Sequence, residues 1–163
     1  MPIKHLRIDN RLIHGQVTTN WVSSVGATQI LVVNDQVAND PIQKKLLPAA
    51  ARGVKTSVLS IQDAVSYIQH PDHAREQVLV VAKFPTDALA LLQQGAQPEQ
   101  VNVGNQAPIP GTNYKMLTKS IAVTPEDAQV YRQIAELGFH LIAQMLPSDA
   151  KTDFLALLEK KGL

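Results

Sequence analysis

Five short runs rich in β-branched residues, separated by helix-patterned segments, constrain this chain more than any other feature. The runs are I-K-H-L-R-I (3–8), Q-I-L-V-V (29–33), K-T-S-V-L (55–59), Q-V-L-V-V-A (77–82) and Q-V-N-V (100–103). The second and fourth are almost continuously apolar, the pattern of central parallel strands covered on both faces. Helix signals fill the gaps at Gln16 to Val25, Asp40 to Ala51, Ile61 to Gln69 and Asp87 to Gln94. Strand alternating with helix predicts an α/β fold: a mainly parallel, doubly wound sheet with helices on both faces. Nearer the C-terminus, I-A-V (121–123) and H-L-I-A (140–143) predict edge strands, one of them able to run antiparallel.

Capping chemistry marks the helix ends. Ser60 with Asp63 resembles a capping box, and Thr124-Pro125-Glu126-Asp127 supplies an N-cap, a proline at the first helical position and acids in the first turn. Gly138 is expected to end that helix, and Ser148-Asp149 to open a last one running to about Lys160. With 163 residues, 45% of them hydrophobic, residues 1–163 are expected to form a single domain with a proper core. Gly104 to Lys115, with its prolines, glycines and asparagines, reads as a loop.

Charge and cysteine content exclude several functions. A formal charge of +1 leaves no overall field to attract nucleic acid, so no nucleic-acid partner is expected. The apolar runs are too short for a membrane span, and M-P-I-K-H lacks a signal-peptide core; a cytoplasmic protein with no direct membrane insertion is expected. Cysteine is absent, which removes disulfides, thiolate zinc sites and sulfur nucleophiles.

Ligands of open α/β sheets bind beyond the carboxyl ends of the parallel strands. The residues expected there are Asp9, Asn10 and Arg11 after the first strand, Asn34 and Asp35 after the second, Lys83 and Phe84 after the fourth, and Gly104 and Asn105 after the fifth. Taken singly, each is ordinary turn chemistry. The stretch R-I-D-N-R-L-I-H-G-Q-V-T-T-N-W (7–21) differs, because several features converge on His14. Leu12 and Ile13 are apolar inside a polar turn, which makes sense if they dock on the core and hold Arg11 and His14 in place. Gly15 and Gln16 begin a helix, so their backbone N–H groups are unpaired and favour an anion. The helix dipole, typically worth about 0.3–1 kcal/mol, and Arg11 both disfavour imidazolium and so favour the nucleophilic neutral ring.

Such a loop suits a histidine that accepts a phosphoryl group, whose peripheral oxygens need fixed donors. Arg11 supplies a planar fork, Gly15 and Gln16 supply backbone donors, and Asp9 orients Arg11 or the imidazole. No metal or cofactor is expected if the phosphoryl arrives on a good leaving group such as another imidazole. The competing reading is a histidine that merely caps the helix.

The stretch R-I-D-N-R-L-I-H-G-Q-V resembles the signature of the IIB component of the mannose-fructose-sorbose family of the bacterial sugar phosphotransferase system. The resemblance continues through Trp21, V-V-N-D-Q-V-A-N-D-P (32–41), A-A-A-R-G-V-K (49–55), N-V-G-N (102–105) and I-A-V-T-P-E-D (121–127). It implies that His14 is the phosphorylated residue, with the δ nitrogen favoured, and that Arg11 and Asp9 are its charged partners. It also implies a protein-Nπ-phosphohistidine–sugar phosphotransferase. The donor would be a phosphohistidine on a IIA protein or domain, expected on a separate chain, and the acceptor a sugar entering through membrane IIC and IID subunits. The implied fold is a mostly parallel sheet with antiparallel edges. Other IIB families carry the phosphoryl on cysteine, which this chain lacks. In many relatives the loop after N-V-G is glycine-rich, whereas here it reads N-Q-A-P-I-P-G-T-N, a departure that falls at Gly104 and Asn105 on the expected rim.

Other histidines and basic residues rank lower. His70 and His73 in H-P-D-H read as a solvated loop rather than metal ligands, and His5 and His140 as structural. Lys44, Lys45, Arg52 and Lys55 form a modestly basic stretch, ordinarily a solvated face but able to meet an acidic partner. Two alternatives remain open at the level of sequence. One is a phosphohydrolase or mutase working through phosphohistidine, although such enzymes typically place arginine directly before the histidine, where Ile13 stands. The other is a regulatory phosphoprotein that feeds no transport.

Overall fold

The computed structural model describes residues 2–163. The chain opens with β1 (Ile3–Asp9), α1 (Gly15–Val25), β2 (Gln29–Val33), α2 (Asp35–Ala38), α3 (Pro41–Ala50) and β3 (Lys55–Leu59). There follow α4 (Ile61–Gln69), a 3-10 turn (Pro71–His73), β4 (Val78–Ala82), α5 (Pro85–Gln93) and β5 (Val101–Asn105). The remainder is β6 (Lys115–Met116), β7 (Ala122–Val123), α6 (Pro125–Glu136), β8 (Leu141–Ala143), β9 (Thr152–Asp153) and α7 (Phe154–Lys160). The main sheet has the order β3-β2-β4-β1-β5-β8-β9, parallel from β3 to β8 and antiparallel at the β8–β9 edge.

The apolar runs are continuous because both sheet faces are covered. Leu31, Val33 and Val80 face a core shared with Ala64 of α4, Leu91 of α5, Ile134 of α6 and Phe154 of α7. Ile30, Val32, Leu79 and Val81 point the other way, onto Trp21 and Val22 of α1 and Val37 of α2. The period-two alternation of a strand therefore sorts neighbouring residues into two separate cores.

Several helix ends follow the sequence. Thr124 and Asp127 form the reciprocal capping box, Ser60 accepts from the Asp63 amide, and α6 stops just before Gly138. Three expectations are corrected. Ser148-Asp149 does not open a helix: the Asp149 carboxylate accepts from the Leu146 amide and closes a turn. α7 begins five residues later, capped by Asp153 through the Ala156 amide, where Phe154 and Leu158 can turn inward. Thr152–Asp153 instead pairs with Ile142–Ala143 as the antiparallel edge. Of I-A-V (121–123), Ile121 makes a single parallel bridge to Gln106 just past the end of β5, and Ala122–Val123 form no strand of the main sheet but pair with Lys115–Met116 in a separate antiparallel ribbon. Finally, α5 starts at Pro85 rather than Asp87, since Asp87 accepts from the Phe84 amide and so belongs inside the first turn.

Candidate functional site

The first strand delivers its loop to the carboxyl rim beside β4 and β5. Leu12 N–H donates to the Asp9 carbonyl at 3.1 Å, closing a tight turn. Leu12 then takes a left-handed φ of 65°, a conformation costing about 1–2 kcal/mol for a side chain like this. Burial holds it there: Leu12 and Ile13 sit in the core with Trp21, Val37, Ala51 and Val58. The apolar pair therefore docks as the sequence led us to expect, with Arg11 on one side and His14 on the other.

His14 is exposed and stands at the N-cap of α1. Its amide donates to Thr18 Oγ1 at 2.8 Å, but its ring makes no capping hydrogen bond. A simple capping histidine is thus excluded. The amides of Gly15 and Gln16 find no acceptor among the described residues and stay open to a ligand.

Beneath the loop lies a buried charge network. Asp9, only 2% exposed, accepts from the Arg11 amide at 2.9 Å, from Arg11 Nε at 3.3 Å and from Arg11 Nη2 at 3.2 Å. The same carboxylate pairs with Arg7 Nε at 3.4 Å. Asp9 therefore does orient Arg11, and Arg7 in turn holds Asp9. Arg7 is itself fully engaged: Nη1 donates to Asn102 Oδ1 at 2.6 Å and to the Gln144 carbonyl at 3.1 Å, and Nη2 to the Met145 carbonyl at 3.0 Å. Its guanidinium lies over the Trp21 ring, 5.1 Å from the centroid, and Trp21 stacks on His5 at 4.5 Å. Burial pulls the Arg7 pKa down to about 10 against the opposing pull of Asp9, so it remains a cation at neutral pH.

Sequence reasoning passed over Arg7 and Asn102. The signal was present: an arginine inside an apolar strand and an asparagine in Q-V-N-V, which the sheet pairs directly across β1 and β5. Gly104 also acquires a definite part. A Cβ at that position would collide with the Arg7 guanidinium, so glycine leaves the space that the guanidinium fills. We expect Gly104→Ala to cost roughly 1–3 kcal/mol or more in a denaturant melt, as overpacking against a fixed group does, and to displace Arg7. A variant as stable as the parent would contradict this packing.

Other rim residues are engaged locally. Asn10 accepts from the Ala107 amide at 2.9 Å and donates to the Ala107 carbonyl at 3.0 Å, tying the 106–114 loop to the β1 turn. The Asn105 carbonyl accepts from the Asn10 amide at 3.1 Å. Asn34 caps α2 and donates to Asp87 at 2.9 Å, and Asp35 accepts from the Ile61 amide at 2.8 Å. Both follow β2, which β4 separates from β1. Lys83 is nearer, its carbonyl accepting from Gln106 Nε2 and its ammonium lying over the Phe84 ring. His70 and His73 gather no metal set: His70 caps the 3-10 turn and His73 stacks on Tyr67.

His5 makes stability pH-dependent. Burial is the main cause lowering its pKa from 6.5 to about 4, opposed by the hydrogen bond with Asn102. Between those values the unfolded chain binds a proton that the folded chain refuses. Stability is therefore complete above about pH 6.5 and falls as the pH drops toward 4, by up to about 3 kcal/mol. Thermal melts across this range check it. His5→Phe keeps an aromatic against Trp21 and should flatten the acid slope.

Comparison with known proteins places the chain in a family and matches its fold. The model of the PTS system sorbose subfamily IIB component matches residues 3–163. The sorbose-specific EIIB component of Klebsiella pneumoniae is 38% identical over 156 residues, which span 95% of this chain and 94% of that protein. The mannose-specific EIIAB component of Escherichia coli (strain K12) is 32% identical over 161 residues, 98% of this chain but 49% of that protein. The crystal structure of the IIBSor domain of the sorbose permease from Klebsiella pneumoniae superposes with a TM-score of 0.92 at 37% identity, covering 98% of both chains.

Proposed function

The chain belongs to the sorbose-subfamily IIB components of the phosphotransferase system, and from that premise we propose that His14 carries the phosphoryl group between its donor and the sugar. As a IIB component it is a phosphotransferase that takes a phosphoryl group from a IIA protein or domain and passes it to a sugar. The observation that carries the assignment to His14 is an exposed imidazole without a capping bond, on a loop pinned by Leu12 and Ile13 beside an arginine clamped by buried Asp9.

In the accepting step a His14 ring nitrogen attacks phosphorus as the donor's P–N bond breaks. Charge on the peripheral oxygens is met by the open amides of Gly15 and Gln16 and by the outer arm of Arg11. Asp9 holds Arg11 so that little reorganisation is needed at the moment of transfer. In the second step a sugar hydroxyl attacks the same phosphorus, the P–N bond to His14 breaks, and the hydroxyl proton ends on the departing imidazole, which returns to its neutral form. Ile13, fixed in the core, occupies the place where a phosphohistidine mutase would carry an arginine.

Lys83, Phe84 and the exposed 107–114 loop form the outer rim in this reading, facing the partners rather than the phosphoryl, while buried Asn105 holds the β1 turn through Asn10. Residues 1–163 act as one IIB domain on the cytoplasmic side, meeting the membrane IIC and IID subunits at its inner face. Among the described residues no helix is long and apolar enough to cross a membrane.

The test is the intact mass of the purified protein after incubation with phosphoenolpyruvate, the general phosphotransferase proteins and a mannose-family IIA. One acid-labile phosphoryl is expected; none, with the IIA shown to be phosphorylated, would count against the reading. Arg11→Ala should slow acceptance roughly tenfold to a hundredfold, the scale of a lost charge-assisted hydrogen bond, and cost about 1.5–3 kcal/mol of stability by taking its side-chain bonds from buried Asp9. Rapid-quench transfer rates equal to the parent's would remove Arg11 from the mechanism.

A further inference from the structure

We propose that Arg52 supplies a second guanidinium to the phosphoryl group on His14, an inference that rests on His14 being the carrier. A methyl group built on Gly15 would lie 3.6 Å from Arg52 Nη2, so the Arg52 fork reaches the first residue of α1, next in the chain to His14. The sequence placed Arg52 in an ordinary solvated basic stretch. The fold carries it from the far end of α3 to the mouth of the phosphoryl site.

Two further features single it out. Arg11 has Nε and Nη2 committed to Asp9, leaving Nη1 as the one arm without a partner among the described residues, and one arm cannot reach three peripheral oxygens. Arg52 is exposed and takes part in none of the ion pairs or side-chain hydrogen bonds among the described residues, so its whole fork is available. Its backbone is also unusual. Arg52 follows the Ala51 C-cap of α3 with φ 53°, in the left-handed position that helices commonly give to glycine, and Gly53 comes one residue later at φ 88°. A strained arginine that makes no local bond is accounted for if its contact is the incoming group.

Arg52 breaks no bond and moves no proton in this scheme. The phosphoryl exchanges one P–N bond for another, while Arg52 and the Gly15 and Gln16 amides hold its oxygens from the α1 side and Arg11 from the β1 side. A cation on this side should stabilise the dianionic form of phosphohistidine and speed its formation.

Arg52→Gly and Arg52→Lys test this. Arg52→Gly relieves the left-handed residue, so its melt should match or exceed the parent's, while acceptance at saturating phospho-IIA falls about tenfold and Arg52→Lys retains part of the rate. On the isolated phosphoprotein, with no partner present, the 31P titration of the phosphoryl should move to higher pH in Arg52→Gly. An unchanged 31P titration with a raised KM for phospho-IIA alone would make Arg52 a docking residue and overturn the proposal. So would rates identical to the parent's. If the parent takes up phosphoryl while the variants are indifferent, this inference fails and the His14 reading stands; if the parent takes up none, both fall.

Discussion

His14→Ala is expected to abolish phosphoryl acceptance while changing folding stability by no more than about 0.5 kcal/mol, the usual range for an exposed side chain without partners. The ring is exposed and bonds to nothing in the cap; the bonds this residue does make, from its amide to Thr18 Oγ1 and to its carbonyl from the Val17 amide, belong to the backbone and survive in alanine. Its φ of −123° suits alanine as well as histidine, and Leu12 and Ile13 still pin the loop. The loss of transfer should be complete rather than partial, because no cysteine is present to substitute and no other histidine shares the loop. Intact mass after phosphorylation, beside a thermal melt, reads both effects. A phosphoryl retained on the variant would point to another acceptor, and acid lability would mark it as a P–N bond. A collapsed melt would give the residue back to the fold.

The ease with which this site could be read from sequence varied with how local its physics is. β2 and β4 were legible because burial on both faces leaves an unbroken apolar run. The docking of Leu12 and Ile13 was legible because two apolar residues in a polar turn have few other uses. The start of α7 was not, since Ser148, Asp149 and Asp153 all offer capping oxygens and the choice is made by where Phe154 and Leu158 meet the core. Asn34 and Asp35 looked like rim residues because strand ends are polar, whereas the fold uses them to cap α2 and to receive the start of α4. Arg7 and Arg52 were passed over for opposite reasons. Arg7 is buried by carbonyls of Gln144 and Met145, more than 130 residues away in the chain, and no periodicity reports such a contact. Arg52 lies in a basic stretch whose placement against Gly15 depends on how α3 returns to the sheet.

Arg7→Met is the second large effect, and it acts through stability and site geometry together. Methionine fills much of the volume but leaves the Gln144 carbonyl without the Nη1 bond, Asn102 Oδ1 short of a donor and Asp9 with one cation instead of two. Removing one partner from a buried ionic network typically costs about 3–5 kcal/mol, a fall of roughly 10 °C or more for a domain of this size. The repulsion between Arg7 and a protonated His5 also disappears, so His5 should titrate higher and the loss of stability toward pH 4 should be shallower than in the parent. Asp9, released on one side, is freer to turn away from Arg11, so the transfer rate per folded molecule should fall as well. Adding Asp9→Asn to Arg7→Met separates the two consequences. It removes the buried charge left with a single cation and should recover part of the stability, yet it weakens the hold on Arg11 and should leave transfer slow. If the double variant regained both together, Arg7 would be supporting the fold alone. If it regained only stability, the chain of contacts from Asn102 through Arg7 and Asp9 to Arg11 is what holds the phosphate clamp in position.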